Sequence, residues 1–203
     1  MLKNRLLLLL LLALLLSQKL HADSPITSTP FSLAYSDYQI IMNASEANGV
    51  LNDQLIEYIL RDDVAVDIKM AVINKLSWDI EGKNNSKLFL NYLIENSLYK
   101  NEKQFRSLAS GDELLAYAYL LAMDDYFDVE KAVEYADLAI TRSPNSITYI
   151  MIEALIKAQH GIWSKWCSVY ELNDEDANWD MKDDALRIIF RYMNLYRGKV
   201  KDY

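Results

Sequence analysis

Four oxygen-bearing side chains near the C-terminus, spaced two residues apart, come closest to a metal-binding pattern. They are Asp174, Asp176, Asn178 and Asp180. Alternating carboxylate and amide oxygens open the calcium loop of helix-loop-helix proteins. Trp179 stands where that loop needs a glycine, and Ala185 where it needs a bidentate glutamate. The favoured interpretation is therefore an acidic, solvated loop that leads into a helix, with calcium binding as the weak alternative.

Nucleophilic catalysis would depend on very few residues. Only His21 and His160 are histidines, and Cys167 is the single cysteine. His160 directly precedes Gly161, as at a helix C-terminus, where an imidazole interacts with the helix dipole. One histidine and one cysteine fall short of a zinc ligand set. The sequence predicts no catalytic residue, metal or cofactor, although the 29 acidic residues leave open an enzyme that works through paired carboxylates.

The N-terminus has the layout of a secretory signal peptide. Lys3 and Arg5 precede the apolar run 6–16, which is followed by polar residues and by the small residue Ala22. Eleven residues make a helix of about 16 Å, too short for a hydrocarbon core of about 30 Å. We predict cleavage after Ala22, so that residues 1–22 are removed and the chain is periplasmic or secreted. An uncleaved anchor is the alternative, and no stable membrane insertion is expected after cleavage.

The charge balance limits the kinds of partner. Removing the three basic residues of the leader changes the formal charge from −8 to −11. Nucleic-acid binding needs a basic surface, so nucleic acid is not an expected partner. An acidic chain attracts a basic protein and speeds its association, although net charge also serves solubility alone.

Composition favours an all-helical domain. The chain has only five glycines and three prolines, too few for a turn-rich β fold. With one cysteine it cannot form an internal disulfide, so its stability must come from packing. Residues 23–36, which contain Pro25, Pro30 and several hydroxyl residues, are predicted to be a flexible tether. Residues 37–203 are predicted to form one helical-repeat domain.

Apolar residues then recur at helical spacing along the chain. These stripes cover residues 51–60, 68–80, 89–98 and 102–108. Glycines between the stripes are predicted to end helices, at Gly49, Gly82, Gly111, Gly161 and Gly198. Their spacing of about 30 residues is typical of stacked helical hairpins. A final amphipathic helix, capped by Asp180, is predicted to close the stack, with a docking strip for an acidic partner as the alternative.

Residues 111–166 resemble the tetratricopeptide repeat, a helix-turn-helix unit with small residues where its helices cross. Ala132, Ala139 and Pro144 fall at the family's spacing for the second helix and its end. Ala118 fits the first helix if the turn 124–128 carries two extra residues, and Ala154 and Gly161 fit the following unit. Trp166 departs from the pattern. The resemblance implies stacked antiparallel hairpins, a tetratricopeptide-like α-α solenoid.

The resemblance also implies where a partner would bind. In that family the first helices of successive units line a groove for peptides. By position, the groove-lining residues would be Leu115, Tyr119, Ala122, Met151, Leu155 and Gln159, with the acidic turns at its rim. Ordinary core packing is the competing interpretation. We therefore expect an exported module that binds another protein; the alternative is a periplasmic immunity or inhibitor protein against a basic toxin or cell-wall hydrolase.

Overall fold

The computed structural model describes residues 24–162, 164–169 and 177–196. This part of the chain contains ten α-helices, two 3₁₀ helices and no strand, which confirms the all-helical prediction. The α-helices are Gln39–Glu46 (α1), Asp53–Ile59 (α2), Val66–Leu76 (α3), Asn85–Glu95 (α4), Glu102–Leu108 (α5), Gly111–Asp124 (α6), Glu130–Ile140 (α7), Ile147–Gln159 (α8), Ser164–Val169 (α9) and Asp183–Met193 (α10). The 3₁₀ helices are Phe31–Tyr35 and Asn194–Tyr196. Among these elements, no helix is both long and apolar enough to cross a membrane.

Side chains at the helix ends explain where several helices begin. Asn52, Asn101, Ser110 and Ser146 each accept a hydrogen bond from a backbone N–H in the first turn of the helix that follows. Ser110 does so within a capping box, because the Glu113 carboxylate accepts a bond from the Ser110 N–H in return. These local bonds set the starts of α2, α5, α6 and α8.

Gly49 and Gly161 lie just after the ends of α1 and α8, as predicted. Gly82 does not end a helix, because α3 already stops at Leu76. Gly49, Gly82 and Gly161 all have positive φ angles. Gly111 differs, because it is the first residue of α6 rather than the end of a helix. Gly198 lies outside the described residues.

The helix α5 has the predicted bounds, whereas α3 and α4 end before their apolar stripes do. α3 stops at Leu76, because the next residue, Ser77, takes a φ of 62° and turns the chain out of the helix. Ile80, at the end of the predicted stripe, is consequently 62% exposed. The prediction that the helix extends to Ile80 was therefore wrong.

The centre of the fold is formed by α6 and α8. Side chains are buried on nearly all sides of both helices. α7 follows α6 after a short turn and packs extensively against it, and it also contacts α8. α3 and α4 cover other faces of α6. The sequence 111–140 thus forms a helical hairpin whose first helix is the core of the molecule.

Residues 24–36 do not form the predicted flexible tether. Ile26, Phe31 and Tyr35 are at most 1% exposed, and the first 3₁₀ helix packs against α3 and α10. The Asn74 side chain bonds this segment to the core by accepting from the Ser32 N–H at 2.9 Å and donating to the Thr29 carbonyl at 3.0 Å. Three buried apolar side chains and these bonds outweigh the extended tendency of the prolines.

The final helix is amphipathic as predicted, but its predicted cap serves another helix. Leu186, Ile189 and Met193 are buried. Asp180 does not cap α10; its carboxylate accepts bonds from the Thr148 N–H at 2.9 Å and the Ser146 hydroxyl at 2.6 Å, at the start of α8. α10 packs on the first 3₁₀ helix, so elements from the two ends of the described chain lie side by side.

Candidate functional site

The residues predicted to line a groove lie mainly in the core. Five of the six have no exposed surface: Leu115, Tyr119, Ala122, Met151 and Leu155. Tyr119 stacks on Phe31 at 6.2 Å, and its hydroxyl accepts a bond from Asn74 at 2.8 Å. Fully buried side chains are not available to a partner, which contradicts the groove prediction. Gln159 is half-buried, and its Nε2 donates to the Tyr126 carbonyl at 2.7 Å.

The residues considered for metal binding and nucleophilic chemistry do not come together in one site within the described part of the chain. Within the described ranges, no group of three or more His, Cys, Asp or Glu side chains could hold a metal. Asp174 and Asp176 lie outside those ranges, and Asp180 is engaged at the start of α8. His160 is exposed at the C-terminal end of α8, as predicted, and Cys167 is half-buried.

A group of apolar side chains lies where two loops meet, residues 77–84 and 125–129, and two of its members, Ile80 and Phe127, are exposed. We call Trp78, Ile80, Tyr126 and Phe127 the aromatic patch. The Trp78 and Tyr126 rings meet edge to face at 5.0 Å, and the Tyr126 and Phe127 rings lie 4.2 Å apart. Tyr126 is 5% exposed, whereas Phe127 is 75% exposed, the most of any large apolar side chain described. The buried Tyr126 ring therefore contacts both the half-buried Trp78 ring and the exposed Phe127 ring.

Four exposed carboxylates lie in the same two loops as the aromatic patch. They belong to Asp79, Glu81, Asp125 and Asp128. Lys83 is the only basic residue in the two loops. The patch thus combines aromatic surface with a negative rim, which is the chemistry of a binding site for a basic surface.

Asp124 joins the two loops that carry the patch. Its carboxylate accepts from the N–H groups of Asn85 at 3.0 Å and Ser86 at 2.7 Å, and so caps the start of α4. Its backbone carbonyl accepts from the Lys83 N–H at 2.9 Å. Asp125 shapes the second loop by accepting from the Phe127 N–H at 3.0 Å. The loops are consequently held side by side by bonds to the end of α6.

Two ionisable groups under the patch have shifted pKa values. Burial raises the pKa of Asp124, and the hydrogen bonds from Ser86 and Asn85 partly oppose that shift. Burial lowers the pKa of Lys83, against the attraction of Asp79 and Asp124. Both shifts report charged groups held away from water at the base of the two loops.

A second polar cluster lies at the start of α6. Lys69, 2% exposed, forms an ion pair with Asp112 at 2.6 Å, and the Tyr149 hydroxyl donates to the same carboxylate at 2.6 Å. Lys69 and Asp112 border a cleft of about 320 Å³ that Asp62 and Glu113 also line. Asp62, Asp112 and Glu113 bring three carboxylates to this cleft, the residue type that the carboxylate-enzyme alternative needs. Asp112 already satisfies the buried amine, an arrangement typical of a structural ion pair.

The aromatic patch was only partly visible in the sequence. The acidic turn 124–128 was predicted as the rim of a working surface. Trp78 and Phe127 were not predicted, although a tryptophan and a phenylalanine beside acidic turn residues are a signal that could have been used. Comparison with protein-family models, curated proteins and solved structures finds no match to this chain.

Proposed function

We propose that this protein is an exported helical module that binds another protein, and that the aromatic patch is its contact surface. The observation that carries the proposal is Phe127, a 75% exposed ring that packs on Tyr126, which Trp78 contacts in turn, in loops with four exposed carboxylates. A single exposed apolar residue is ordinary, but a supported aromatic group on two loops is typical of an interface anchor.

The charge of the rim identifies the chemistry of the partner. Four exposed carboxylates and one half-buried lysine give these loops a negative surface, and the whole chain carries a charge of −8. A basic protein surface with a shallow apolar pocket complements it in both charge and shape. Aromatic contacts supply most of the affinity, while the carboxylates steer the partner and their attraction weakens with salt.

We also propose that the hairpin 111–140 is tetratricopeptide-like and that neighbouring helices stack on it as in an α-α solenoid. The support is that Ala118, Ala132 and Ala139, the small residues of the resemblance, are at most 1% exposed on α6 and α7. Small side chains allow two helices to approach closely. Residues 1–22 are proposed as a leader that directs export to the periplasm or the medium.

A random peptide library displayed on phage tests the proposed surface and requires no named partner. We expect the protein to select peptides that combine lysine or arginine with a large apolar residue. The variant Phe127→Ser should bind these peptides about 30-fold more weakly, equivalent to about 2 kcal/mol for an anchor residue. High salt should weaken binding further.

The matched control is Leu108→Ser, which removes a 64% exposed apolar side chain at the end of α5. Neither variant should change the free energy of unfolding by more than about 0.5 kcal/mol, because both sites are exposed. Selected peptides without basic residues, or peptides bound equally by Phe127→Ser, would refute the proposed surface.

The second candidate is an immunity or inhibitor protein that blocks a basic toxin or cell-wall hydrolase. The negative rim around Phe127 favours it, because blocking a basic enzyme needs the same complementarity. A purified basic cell-wall hydrolase, assayed with the native protein and with Phe127→Ser, distinguishes this candidate from a module that binds without inhibiting.

A further inference from the structure

Ser77, which directly precedes Trp78, has an unusual backbone conformation. Its φ is 62° and its ψ is −178°, a region that glycine occupies and other residues avoid. The Ser77 N–H nevertheless donates to the Asn74 carbonyl at 3.1 Å, so the residue is fixed to the end of α3. A serine in this conformation is strained, and the surrounding structure must hold it there.

Lys83 holds this turn from the other end of the same loop. Its ammonium group donates to the carbonyls of Leu76 at 2.6 Å and Ser77 at 2.9 Å. Gly49 makes room for it, because a Cβ on Gly49 would lie 2.5 Å from Lys83 Nζ and 3.1 Å from the Leu76 carbonyl oxygen. The lysine therefore closes the loop 77–83 on the end of α3.

We propose that Ser77 and Lys83 are positioning residues, which hold the Trp78 ring against Tyr126 and so shape the aromatic patch. The torsions of Ser77 set the direction in which the chain leaves α3, and Trp78 is the next residue. The edge-to-face contact at 5.0 Å is the geometry that this direction produces. The role of the patch in binding rests on the proposed function, whereas the position of Trp78 can be measured without a partner.

The chain provides a matched control in Ser97. It is also a serine with positive φ, at 59°, in the turn that follows α4. α4 has eleven residues and is about 16 Å long, so Ser97 lies at the far end of that helix from Lys83. Replacing either serine with glycine relieves the cost of a positive φ. Only the replacement at Ser77 should alter the patch.

The test compares Ser77→Gly, Ser97→Gly and the native protein by NMR and thermal unfolding. The ring-to-ring cross-peak between Trp78 and Tyr126 should weaken severalfold in Ser77→Gly, while its melting temperature stays equal or rises. Ser97→Gly should keep the full cross-peak. Lys83→Met, which keeps the apolar stem but removes the donors, should also weaken the cross-peak.

A cross-peak that keeps its native intensity in Ser77→Gly overturns the positioning role, and so does one that weakens equally in Ser97→Gly. Peptides selected by the native protein should bind Ser77→Gly about tenfold more weakly, and unchanged binding likewise overturns the inference. If Phe127→Ser retains full peptide binding, the proposed function fails, but the cross-peak still decides the role of Ser77.

Discussion

Replacing Asn74 with alanine is expected to detach the N-terminal segment 24–36 from the core. Asn74 is 6% exposed on α3 and bonds to three buried groups. Its Oδ1 accepts from the Ser32 N–H at 2.9 Å, and its Nδ2 donates to the Thr29 carbonyl at 3.0 Å and the Tyr119 hydroxyl at 2.8 Å. One side chain therefore joins the segment to both α3 and α6.

The size of the effect follows from the groups that alanine leaves behind. Thr29 and Tyr119 have no exposed surface, and Ser32 is 4% exposed. A buried polar group that loses its partner costs about 1–3 kcal/mol. Truncation to alanine leaves one cavity beside all three groups, and a water that enters it can bond to some of them. We therefore expect the free energy of unfolding to fall by about 3–6 kcal/mol in total. That is a large part of the roughly 5–15 kcal/mol that stabilises a typical domain.

Urea unfolding and amide hydrogen exchange measure this effect together. Asn74→Ala should lower the free energy of unfolding by the stated amount, and the Ser32 amide should exchange much faster than in the native protein. Asn43→Ala is the control, because the Asn43 side chain bonds to Gln39 on the surface of α1 and its loss should change stability by less than about 0.5 kcal/mol. A loss below about 1 kcal/mol in Asn74→Ala, or a Ser32 amide that remains protected, would show that the segment is held by other contacts.

Two further predictions concern pH and processing. Burial raises the pKa of several tyrosines above the ordinary value of 10.0, among them Tyr35, Tyr119 and Tyr149. Their contribution to stability is complete below about pH 10 and is lost above it, because the unfolded chain releases protons that the folded chain retains. Above that pH, each buried tyrosine should lower the free energy of unfolding by up to about 1.4 kcal/mol per pH unit. Urea unfolding at a series of alkaline pH values checks this, and phenolate absorbance that appears for every tyrosine before unfolding would contradict it. N-terminal sequencing of protein recovered after export should begin at Asp23, and a sequence beginning at Met1 would contradict the proposed leader.

Most of the helices could be predicted because local signals coincide. The helix α5 shows this well, since Asn101 caps its start and its apolar residue Phe105 faces the core. The end of α3 could not be predicted in the same way. The helical periodicity of apolar residues includes Ile80 in the stripe. It does not reveal that the backbone already leaves the helix at Ser77. Patterns of side chains thus define the existence of a helix better than its end.

The N-terminal segment shows why composition misled the prediction. Pro25 and Pro30 favour extended chain, and nothing nearby in sequence offers Ile26 or Phe31 a place to be buried. The segment packs instead on α3, α6 and α10, far along the chain. Burial in tertiary contacts decides the structure of such a segment, and a local sequence pattern carries no information about those contacts.

The working surface was misplaced for a related reason. Tyr119 and Met151 carry the aromatic and thioether groups that suit a groove, yet both are completely buried on the two central helices. The aromatic patch comes instead from two loops, with a half-buried ring at Trp78 and an exposed ring at Phe127, and only the fold brings these loops together. The acidic turn at Asp125 and Asp128 was predicted, since a polar turn between two helices needs no tertiary information.

Four exceptions to ordinary packing rules lie in or beside these same two loops. Ser77 is strained, Asp124 and Lys83 are charged groups drawn out of water, and Phe127 exposes an aromatic ring to it. The buried network around Asn74, by contrast, pairs polar groups with one another. Since folded chains keep costly local features mainly where function requires them, the concentration of four in one place favours the loops as the binding surface. It follows that changes at Ser77 or Phe127 should alter binding while sparing stability, and that changes around Asn74 should do the reverse.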